Sequence, residues 1–311
     1  MVTITGKVLR ILSFKVADEA KTVVDLIIAD EYDYMRVSLW DDKAELVRCG
    51  DIKAGVVLKI ENASGARDDK RANAGKYARI TTLATDIAAL SHANPLNLTV
   101  MAVARPEKGQ VCIAGIDENG EWIRPQGVYE TDVFSLGTEK FKNLCISKVY
   151  VDAWRGRRAR KEDRFFVFDE GMARELDVKE KREYLDANVD GSVDAVFKRG
   201  RSLGLIQPRI LQVYEEKKRR DGKSHVQYIR FNFKDDSGRV YRRWSCRCSA
   251  FYNTWNELKR QHRWTYGWRM HRYLRRNKTY LAIGLTYTDY GIDRLEYGAY
   301  PMIVGVHVLA Q

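Results

Sequence analysis

The sequence predicts an all-β chain with short helices, arranged as three tandem five-stranded Greek-key barrels. Short runs of alternating apolar and polar residues recur along the 311 residues, which is the pattern of half-buried strands. Acidic turns beginning at Asp30, Asp117 and Asp235 each separate an apolar strand from a strand that carries an aromatic residue. We interpret this recurrence as a threefold internal repeat, degenerate in sequence and variable in length.

The first predicted domain, residues 1–92, has the element order of an OB-fold, a small Greek-key barrel. Its five strands are expected at residues 2–12, 22–29, 35–40, 55–61 and 77–83. A short helix at 41–47 follows the third strand, and a polar loop at 64–75 precedes the fifth. Residues 91–97, which include a proline and lack an apolar run, are expected to form a linker.

Two further barrels are predicted at residues 97–188 and 202–311. The strands of the second are expected at 98–104, 110–116, 121–125, 145–154 and 164–168, with a connecting helix at 171–188. The strands of the third are expected at 203–214, 226–233, 239–246, 279–288 and 302–309. Ser249 is the expected N-cap of a helix that runs through His262, and Asp221-Gly222 marks the tight turn of a basic hairpin.

Several short motifs resemble known families. Gly6-Lys7-Val8, residues 26–30, residues 37–40 and Gly50-Asp51 resemble the first OB-fold of archaeal and eukaryotic replication protein A. That resemblance implies that Trp40 packs between barrel and helix, although the family's turn glycine is replaced by residues 31–34. Residues 98–311 resemble the dual OB domain of many prokaryotic proteins, in the motifs at 112–117, 121–125, 202–208, 280–285 and 305–306. This second resemblance implies two OB barrels and nucleic-acid association, without a catalytic set.

Charge is distributed unevenly along the chain. The net charge is +12, from 54 basic and 42 acidic residues. Residues 1–95 contain fourteen of each sign, so residues 96–311 hold the whole excess, 40 − 28 = +12. Such asymmetry predicts an anionic partner for the later part of the chain. In the neutral first part, the candidate stacking residues are Phe14, Tyr32, Tyr34 and Tyr77, although each is more often structural.

The basic excess is densest at residues 242–278, which contain eleven Lys or Arg residues, one acid and four of the seven tryptophans. Clustered arginines neutralise phosphates, and flat rings stack on unpaired bases. The predicted contacts are Arg243, Trp264, Tyr266, Trp268, Arg269, Arg272, Arg275 and Arg276. Further predicted contacts are Arg124, Trp154, Arg157, Arg158, Lys218 and Arg219. The alternative is a solvated face around a core, and the spacing of Phe251, Trp255 and Leu258 places Trp255 in that core.

No motif predicts an enzyme, a metal site or a cofactor. Cys112, Cys145, Cys246 and Cys248 lack the paired spacing of zinc knuckles and are expected to be free thiols. The chain has no phosphate-binding loop and no nucleophile elbow. With no secretory signal at its start and no apolar run of about 20 residues, it is expected to have no membrane partner and to be cytoplasmic and nucleoid-associated.

The leading hypothesis is a non-enzymatic, sequence-tolerant single-stranded DNA-binding protein of replication, repair or recombination. Residues 1–92 would bind weakly or contact replication or repair proteins. Two alternatives remain open from the sequence. An RNA-binding OB protein would use the same surface, because only a 2′-hydroxyl contact separates the two substrates. A nuclease or DNA-modifying enzyme would need convergent carboxylates or a metal.

Overall fold

The computed structural model describes residues 1–17, 21–66, 70–104, 111–135, 138–154, 160–220, 224–286 and 295–310. The chain divides into two compact units, residues 1–95 and 96–311. Most regular structure in both units is strand, which confirms the prediction of a mostly-β chain with short helices. Among the described helices, none combines the length and the apolar composition that crossing a membrane requires.

Unit 1 contains a closed five-stranded barrel. Its elements are β1 (Val2–Ala17), β2 (Lys21–Ala29), β3 (Tyr34–Trp40), α1 (Asp42–Arg48), β4 (Val57–Ala66), β5 (Arg71–Ala74) and β6 (Arg79–Leu83). The ring runs β1-β2-β3-β5-β4 and returns to β1, with β3 and β5 parallel. Alternate residues of β2, namely Val24, Leu26 and Ile28, point into the apolar core, as period-two alternation requires.

The strand that closes this barrel is not the predicted one. Residues 77–83 contribute β6, which among the described strands pairs with β4 alone and lies outside the ring. The closing strand β5 falls inside the segment predicted as a loop, 64–75. Only Ala72 and Ala74 of β5 are buried, and two alanines give too weak an apolar signal to indicate a strand.

A second closed barrel begins unit 2. Its ring is formed by β7 (Leu96–Ala104), β8 (Cys112–Ile116), β9 (Trp122–Gln126), β12 (Cys145–Ala153) and β13 (Asp163–Glu175). Between β9 and β12 lie α2 (Glu130–Val133) and the short pair β10 (Phe134–Ser135) and β11 (Thr138–Glu139). The predicted helix at 171–188 is partly wrong, because β13 continues to Glu175. Helix α3 (Val178–Ala187) starts only after Asp177, which forms a capping box with Glu180. In this box each side chain accepts a hydrogen bond from the backbone N–H of the other residue, which fixes the helix start.

The third predicted barrel is an open six-stranded sheet. Its elements are α4 (Val193–Phe197), β14 (Leu203–Ile206), β15 (Arg209–Arg220), β16 (Ser224–Lys234), β17 (Val240–Cys246), α5 (Ser249–Gln261), α6 (Tyr266–Arg276), β18 (Lys278–Leu285) and β19 (Pro301–Leu309). The strand order is β14-β18-β19-β17-β16-β15. The two edge strands β14 and β15 are consecutive in the chain but do not pair with each other. Between them lie Gln207 and Pro208, where the run of strand residues is interrupted, and a proline has no N–H group to donate at that point.

The prediction of three tandem barrels is therefore confirmed for two rings, and it is not confirmed for the third sheet, which is not closed in the described part of the chain. That sheet keeps the order of the rings, including a parallel pair, β17–β19. Its first strand is split, so that β14 pairs with β18 and β15 pairs with β16. How residues 96–311 divide into the two predicted domains stays a prediction.

The second barrel and the open sheet share one apolar core within unit 2. Met101 and Leu144 of the barrel pack with Leu205, Tyr280 and Val304 of the sheet. Gly305 permits this approach, because a Cβ atom there would lie 2.3 Å from the carbonyl oxygen of Met101. Beside it, the Nε2–H of His307 donates to the same carbonyl oxygen over 2.9 Å.

Candidate nucleic-acid interface

Helices α5 and α6 are positioned by apolar residues on their inner faces. Phe251 and Trp255 of α5, and Met270 and Leu274 of α6, are buried in the core of the open sheet. The four-residue spacing within each pair places both side chains on one side of the helix. The prediction that Trp255 is a core residue is confirmed, since it is 1% exposed. The N-cap of α5 is Cys248, one residue before the predicted N-cap, and Ser249 is the first residue of the helix.

A single carboxylate anchors both helices to strand β15. Glu215 accepts hydrogen bonds from the Trp255 Nε1–H over 3.2 Å, from the Lys259 ammonium over 2.8 Å and from the Tyr266 hydroxyl over 3.4 Å. The rings of Trp255 and Tyr266 meet edge to face, with centroids 5.3 Å apart. These contacts fix the direction in which the opposite side of α6 points.

That opposite side, together with Arg263 and Trp264 of the turn before α6, forms what we call the α6 surface. Its members on the helix itself are Trp268, Arg269, Arg272, Arg275 and Arg276. Trp264 is 89% exposed and Trp268 is 59% exposed, and all five arginines are exposed as well. Along α6, residues 268, 272, 275 and 276 share one side because they are spaced at close to whole helical turns.

The arginines of the α6 surface have no carboxylate partner within 4 Å in the part of the chain that the structure describes. Some arginines elsewhere in unit 2 do pair with a carboxylate, such as Arg230 with Glu216 and Arg239 with Glu296. Two arginines of the α6 surface instead contact its indoles, with Arg263 5.5 Å from the ring centre of Trp264 and Arg272 5.1 Å from that of Trp268. Unpaired like charges at this density repel one another unless an anion lies among them.

Two of the predicted contacts do not face this surface. Tyr266 turns inward, where it packs on Trp255 and donates to Glu215, so its ring is not available for base stacking. Arg124 is only 6% exposed. Its Nε–H donates to Asp163 over 2.7 Å, and a second nitrogen donates to the Ser202 hydroxyl over 3.3 Å. The prediction of a phosphate contact at Arg124 is wrong, because this guanidinium joins the second barrel to the open sheet.

Of the remaining predicted contacts, some lie within the described part of the chain and others lie outside it. Trp154 is half-buried, and its buried Nε1–H has no hydrogen-bond partner among the described residues. Arg157 and Arg158 lie outside the described residues. Lys218 and Arg219 belong to strand β15, but their side chains lie outside the described part. Arg243 is exposed on strand β17, away from α6, and belongs to a second basic area.

This second area lies on the outer side of strands β16 and β17, and we call it the sheet surface. It consists of Tyr228, Arg230, Arg242, Arg243, Ser245 and Arg247. Arg242 and Arg243 together oppose Asn232, which is the geometry of a β-bulge. Arg243 adopts the left-handed conformation, with φ 59°, and its backbone N–H donates to the Asn232 side chain over 2.8 Å. The bulge therefore presents two consecutive arginines to solvent.

The sheet surface is also rich in positive charge. The Tyr228 ring lies between Arg230 and Arg247, at 5.0 and 5.3 Å from their guanidinium carbons. Among the described residues, the one carboxylate that pairs with arginines of the sheet surface is that of Glu216. It lies 2.8 Å from Arg230 and 2.7 Å from Arg243. The Nε of Arg247 and the hydroxyl of Ser245 are buried without hydrogen-bond partners in the same described part. Arg243 is the one member of this set among the predicted contacts, although strand alternation around Ile229 and Phe231 could have indicated Tyr228 and Arg230.

The cysteines offer no cluster of ligands in the described residues, which contain no group of three His, Cys, Asp or Glu side chains suited to a metal ion. Cys145, Cys246 and Cys248 are buried, and Cys112 is exposed. Burial raises the pKa of the Cys246 and Cys248 thiols. A raised pKa keeps both groups in the neutral form, which is neither the nucleophilic nor the metal-binding form.

In unit 1 the candidate stacking residues have different environments. Tyr32 and Tyr77 are exposed, and Tyr32 stacks on His92 with ring centres 4.7 Å apart. Tyr34 is half-buried beneath the ammonium group of Lys70. The side chain of Phe14 lies outside the described part. The basic residues Lys7, Arg36 and Lys70 each pair with an aspartate, in contrast to the arginines of the α6 surface.

Comparison with protein-family models finds no match, and comparison with curated proteins finds none either. Among solved structures, a murine DNA-binding protein bound with double-stranded DNA is 11% identical, over 53% of this chain and 97% of its own, with a TM-score of 0.29. A replication protein A heterotrimer bound to single-stranded DNA is 10% identical, over 99% and 93%, with a TM-score of 0.29. Similarity at this level shows neither a family nor a function. The two closed five-stranded rings fit the OB-fold by their own topology, and membership of either predicted family stays a prediction.

Proposed function

We propose that this protein binds single-stranded nucleic acid, with little sequence preference and without catalysis, through the α6 surface. The observation that carries the proposal is the set of five exposed arginines around two exposed indoles, without carboxylate partners among the described residues. Phosphates would release counterions on meeting the guanidinium groups, and unpaired bases would stack on the indoles. Every base has a flat face, so stacking of this kind does not select a sequence.

The surface is rigidly presented, which favours binding. Because Glu215 holds α5 and α6 against β15, little ordering of the backbone is needed when a strand arrives. The contacts of Arg263 with Trp264 and of Arg272 with Trp268 place a phosphate-binding group beside each stacking ring. Each pair can therefore engage the base and the phosphate of one nucleotide.

Single-stranded DNA is the proposed substrate, in replication, repair or recombination, and RNA is the rival that the test must separate. Unit 1 carries no net charge, so we assign it weak binding or contacts with replication or repair proteins. A cytoplasmic, nucleoid-associated location belongs to the same proposal, because that is where the substrate lies.

A polarisation titration of the full chain tests the proposal. Labelled oligomers of dT, U and duplex DNA of equal length are compared at two salt concentrations. We expect tighter binding to dT than to duplex, and weaker binding at the higher salt. Tightest binding to U would replace DNA with RNA as the substrate, and equal binding to duplex would contradict base stacking. Incubation of labelled strands with Mg²⁺, Mn²⁺ or Zn²⁺ must leave them intact, because cleavage would show a nuclease.

A further inference from the structure

The α6 surface and the sheet surface lie on opposite sides of the open sheet. On strand β16, Ile229 and Phe231 point into the core, where Phe231 contacts Phe251 of α5 with ring centres 5.2 Å apart. Tyr228 and Arg230 alternate with them and therefore point the other way. Helices α5 and α6 cover the inner side of the sheet, and the arginines of β16 and β17 occupy its outer side.

Two consecutive residues of β15 show the same division. Glu215 points inward and holds α5 and α6 through Trp255, Lys259 and Tyr266. Glu216 points outward and pairs with Arg230 and Arg243. The two surfaces are thus supported by different carboxylates, and neither depends on the other for its position.

Each surface has its own excess of positive charge. The α6 surface has five arginines and no carboxylate partner in the described part of the chain. The sheet surface has four arginines and, in that same part, one carboxylate neighbour, Glu216. Arg242 is exposed there, and neither Arg242 nor Arg247 has a carboxylate within 4 Å among the described residues. Each area has enough charge to attract a polyanion independently.

The sheet surface also has the chemistry to bind phosphate groups. Guanidinium groups donate in pairs to phosphate oxygens. Arg242 and Arg243 are exposed side by side at the bulge, where their guanidinium groups are accessible to a phosphate. The bulge holds Arg243 in the left-handed region, which is uncommon for a side chain of this size and is frequent at functional sites. The phosphates of a second nucleic-acid segment would contact the exposed guanidinium groups of this surface.

We infer that one chain binds two nucleic-acid segments at once, one on each side of the open sheet, and so bridges two strands or two distant parts of one strand. The inference rests on the proposed function, because the α6 surface supplies one of the two sites. The edge strand β15 lies between the two surfaces, and the path from one surface to the other passes around that edge. The sheet then lies between two polyanions that one chain holds. Binding both brings two single strands close enough for annealing or looping.

A bead-capture experiment with the full chain tests this inference. Beads carry a biotinylated dT oligomer of about six nucleotides, within the range that a single OB unit covers, and a labelled dT oligomer of the same length is free in solution. The wild-type protein is expected to retain the labelled oligomer on the beads. Mass measurement of the complex in solution should show one protein chain with two oligomers.

Paired variants separate the two surfaces. W264A/W268A removes both indoles of the α6 surface, and R242A/R247A removes two arginines of the sheet surface. Each variant is expected to bind one oligomer and to lose at least tenfold of the labelled strand retained on beads. R199A, which removes an exposed arginine outside both surfaces, should behave as the wild type. If R242A/R247A unfolds in a thermal melt, R242E replaces it, because Arg242 is exposed.

Several results would overturn the inference. One oligomer per wild-type chain, or bridging that requires two protein chains in the measured mass, contradicts two sites on one chain. Retention that is unchanged in R242A/R247A or R242E excludes the sheet surface. In each of these cases single-strand binding by the wild type would still stand. A wild-type chain that binds no oligomer at all would overturn the proposed function together with the inference.

Discussion

Tryptophan has two opposite roles in the carboxyl-terminal part of this chain. Trp255 is enclosed by Phe251 and Tyr266 and donates its Nε1–H to Glu215. Trp264 and Trp268, nine and thirteen residues later, are exposed and contact arginines instead. Trp255 lies on the inner side of α5, Trp268 lies on the outer side of α6, and Trp264 lies in the turn between the two helices, so the position of each ring decides its role.

Replacement of the exposed indoles should separate binding from stability. We expect W264A/W268A to weaken single-strand binding by about 1–3 kcal/mol for each stack removed while the melting temperature stays close to that of the wild type. W255A should instead lower the free energy of unfolding by about 3–5 kcal/mol, because it leaves a cavity in the core. Polarisation titrations and urea denaturation measure the two effects. Early unfolding of W264A/W268A would show that those rings are structural.

Glu215 provides a test in which charge and position predict opposite results. E215A removes a negative charge near a proposed polyanion site, so electrostatics alone would strengthen binding. We expect weaker binding, because Lys259 and Tyr266 lose the acceptor that fixes α5 and α6. E183A is the control, since it removes the same charge from an exposed residue of α3 that lies outside both basic surfaces. Tighter binding by both variants would contradict a positioning role for Glu215.

At the scale of elements, helix α6 combines an apolar inner side with a basic outer side. Met270 and Leu274 attach it to the core, and the charged positions between them are left in solvent. Strand β17 also presents basic residues on one side, but it does so through a bulge. The bulge places Arg242 and Arg243 on the same side, where strict alternation would separate them. Helical periodicity is readable from the sequence, whereas a bulge depends on the register with the neighbouring strand.

The arginines of α6 should change the salt dependence of binding. For a single strand, the slope of log K against log salt concentration becomes shallower by about 0.7 for each phosphate that the protein no longer neutralises. We therefore expect R272A/R275A to bind more weakly at low salt and to show a slope shallower by about 1.4. Titrations at four salt concentrations measure the slope. An unchanged slope would mean that these guanidinium groups do not bind phosphate, and R199A is the control for removal of charge alone.

At the scale of the whole molecule, charge and compactness divide the chain at the same place. Residues 1–95 are electrically neutral, and residues 96–311 carry the full excess of +12. In unit 1, Lys7, Arg36 and Lys70 each pair with an aspartate, which leaves less free positive charge for a polyanion. Long-range attraction of a nucleic acid should therefore originate almost entirely in unit 2.

This division predicts a difference in affinity between the two units. Residues 96–311 expressed alone should bind single strands nearly as tightly as the full chain, and residues 1–95 much more weakly. The comparison is made by polarisation with one labelled dT oligomer, after circular dichroism shows that each piece is folded. Equal affinities would contradict the use of net charge to rank the units.

His307 makes the stability of unit 2 depend on pH. Burial lowers its pKa to about 4 from the ordinary 6.5, and its Nε2–H donates to the Met101 carbonyl oxygen. The unfolded chain gains a proton near pH 6.5 that the folded state accepts only near pH 4. Neutral His307 therefore contributes about 3 kcal/mol to the free energy of unfolding above pH 6.5, and this contribution is lost as the pH falls from 6.5 through 4.

H307Q should reduce this dependence, because an amide donates to Met101 without titrating. We expect urea denaturation to show a smaller loss of stability between pH 7 and pH 4 in H307Q than in the wild type. The neighbouring carboxylates titrate equally in both proteins, so the difference between them isolates His307. Identical pH profiles would show that this imidazole is not the acid-sensitive group.

The sequence by itself determined the mostly-β class, the position of most strands, the neutral first part and the basic, aromatic-rich stretch at 242–278. Those features depend on periodicity and composition, which are local properties of the chain. Only the tertiary structure decided that Arg71–Ala74 closes the first barrel, that the first strand of the last sheet is split at residues 207 and 208 and that Arg124 is buried beside Asp163. It also decided which tryptophans are exposed and that two basic surfaces lie on opposite sides of one sheet. These outcomes depend on which distant strands pair and which faces they bury, and a contact between residues far apart in the chain leaves no local pattern in the sequence.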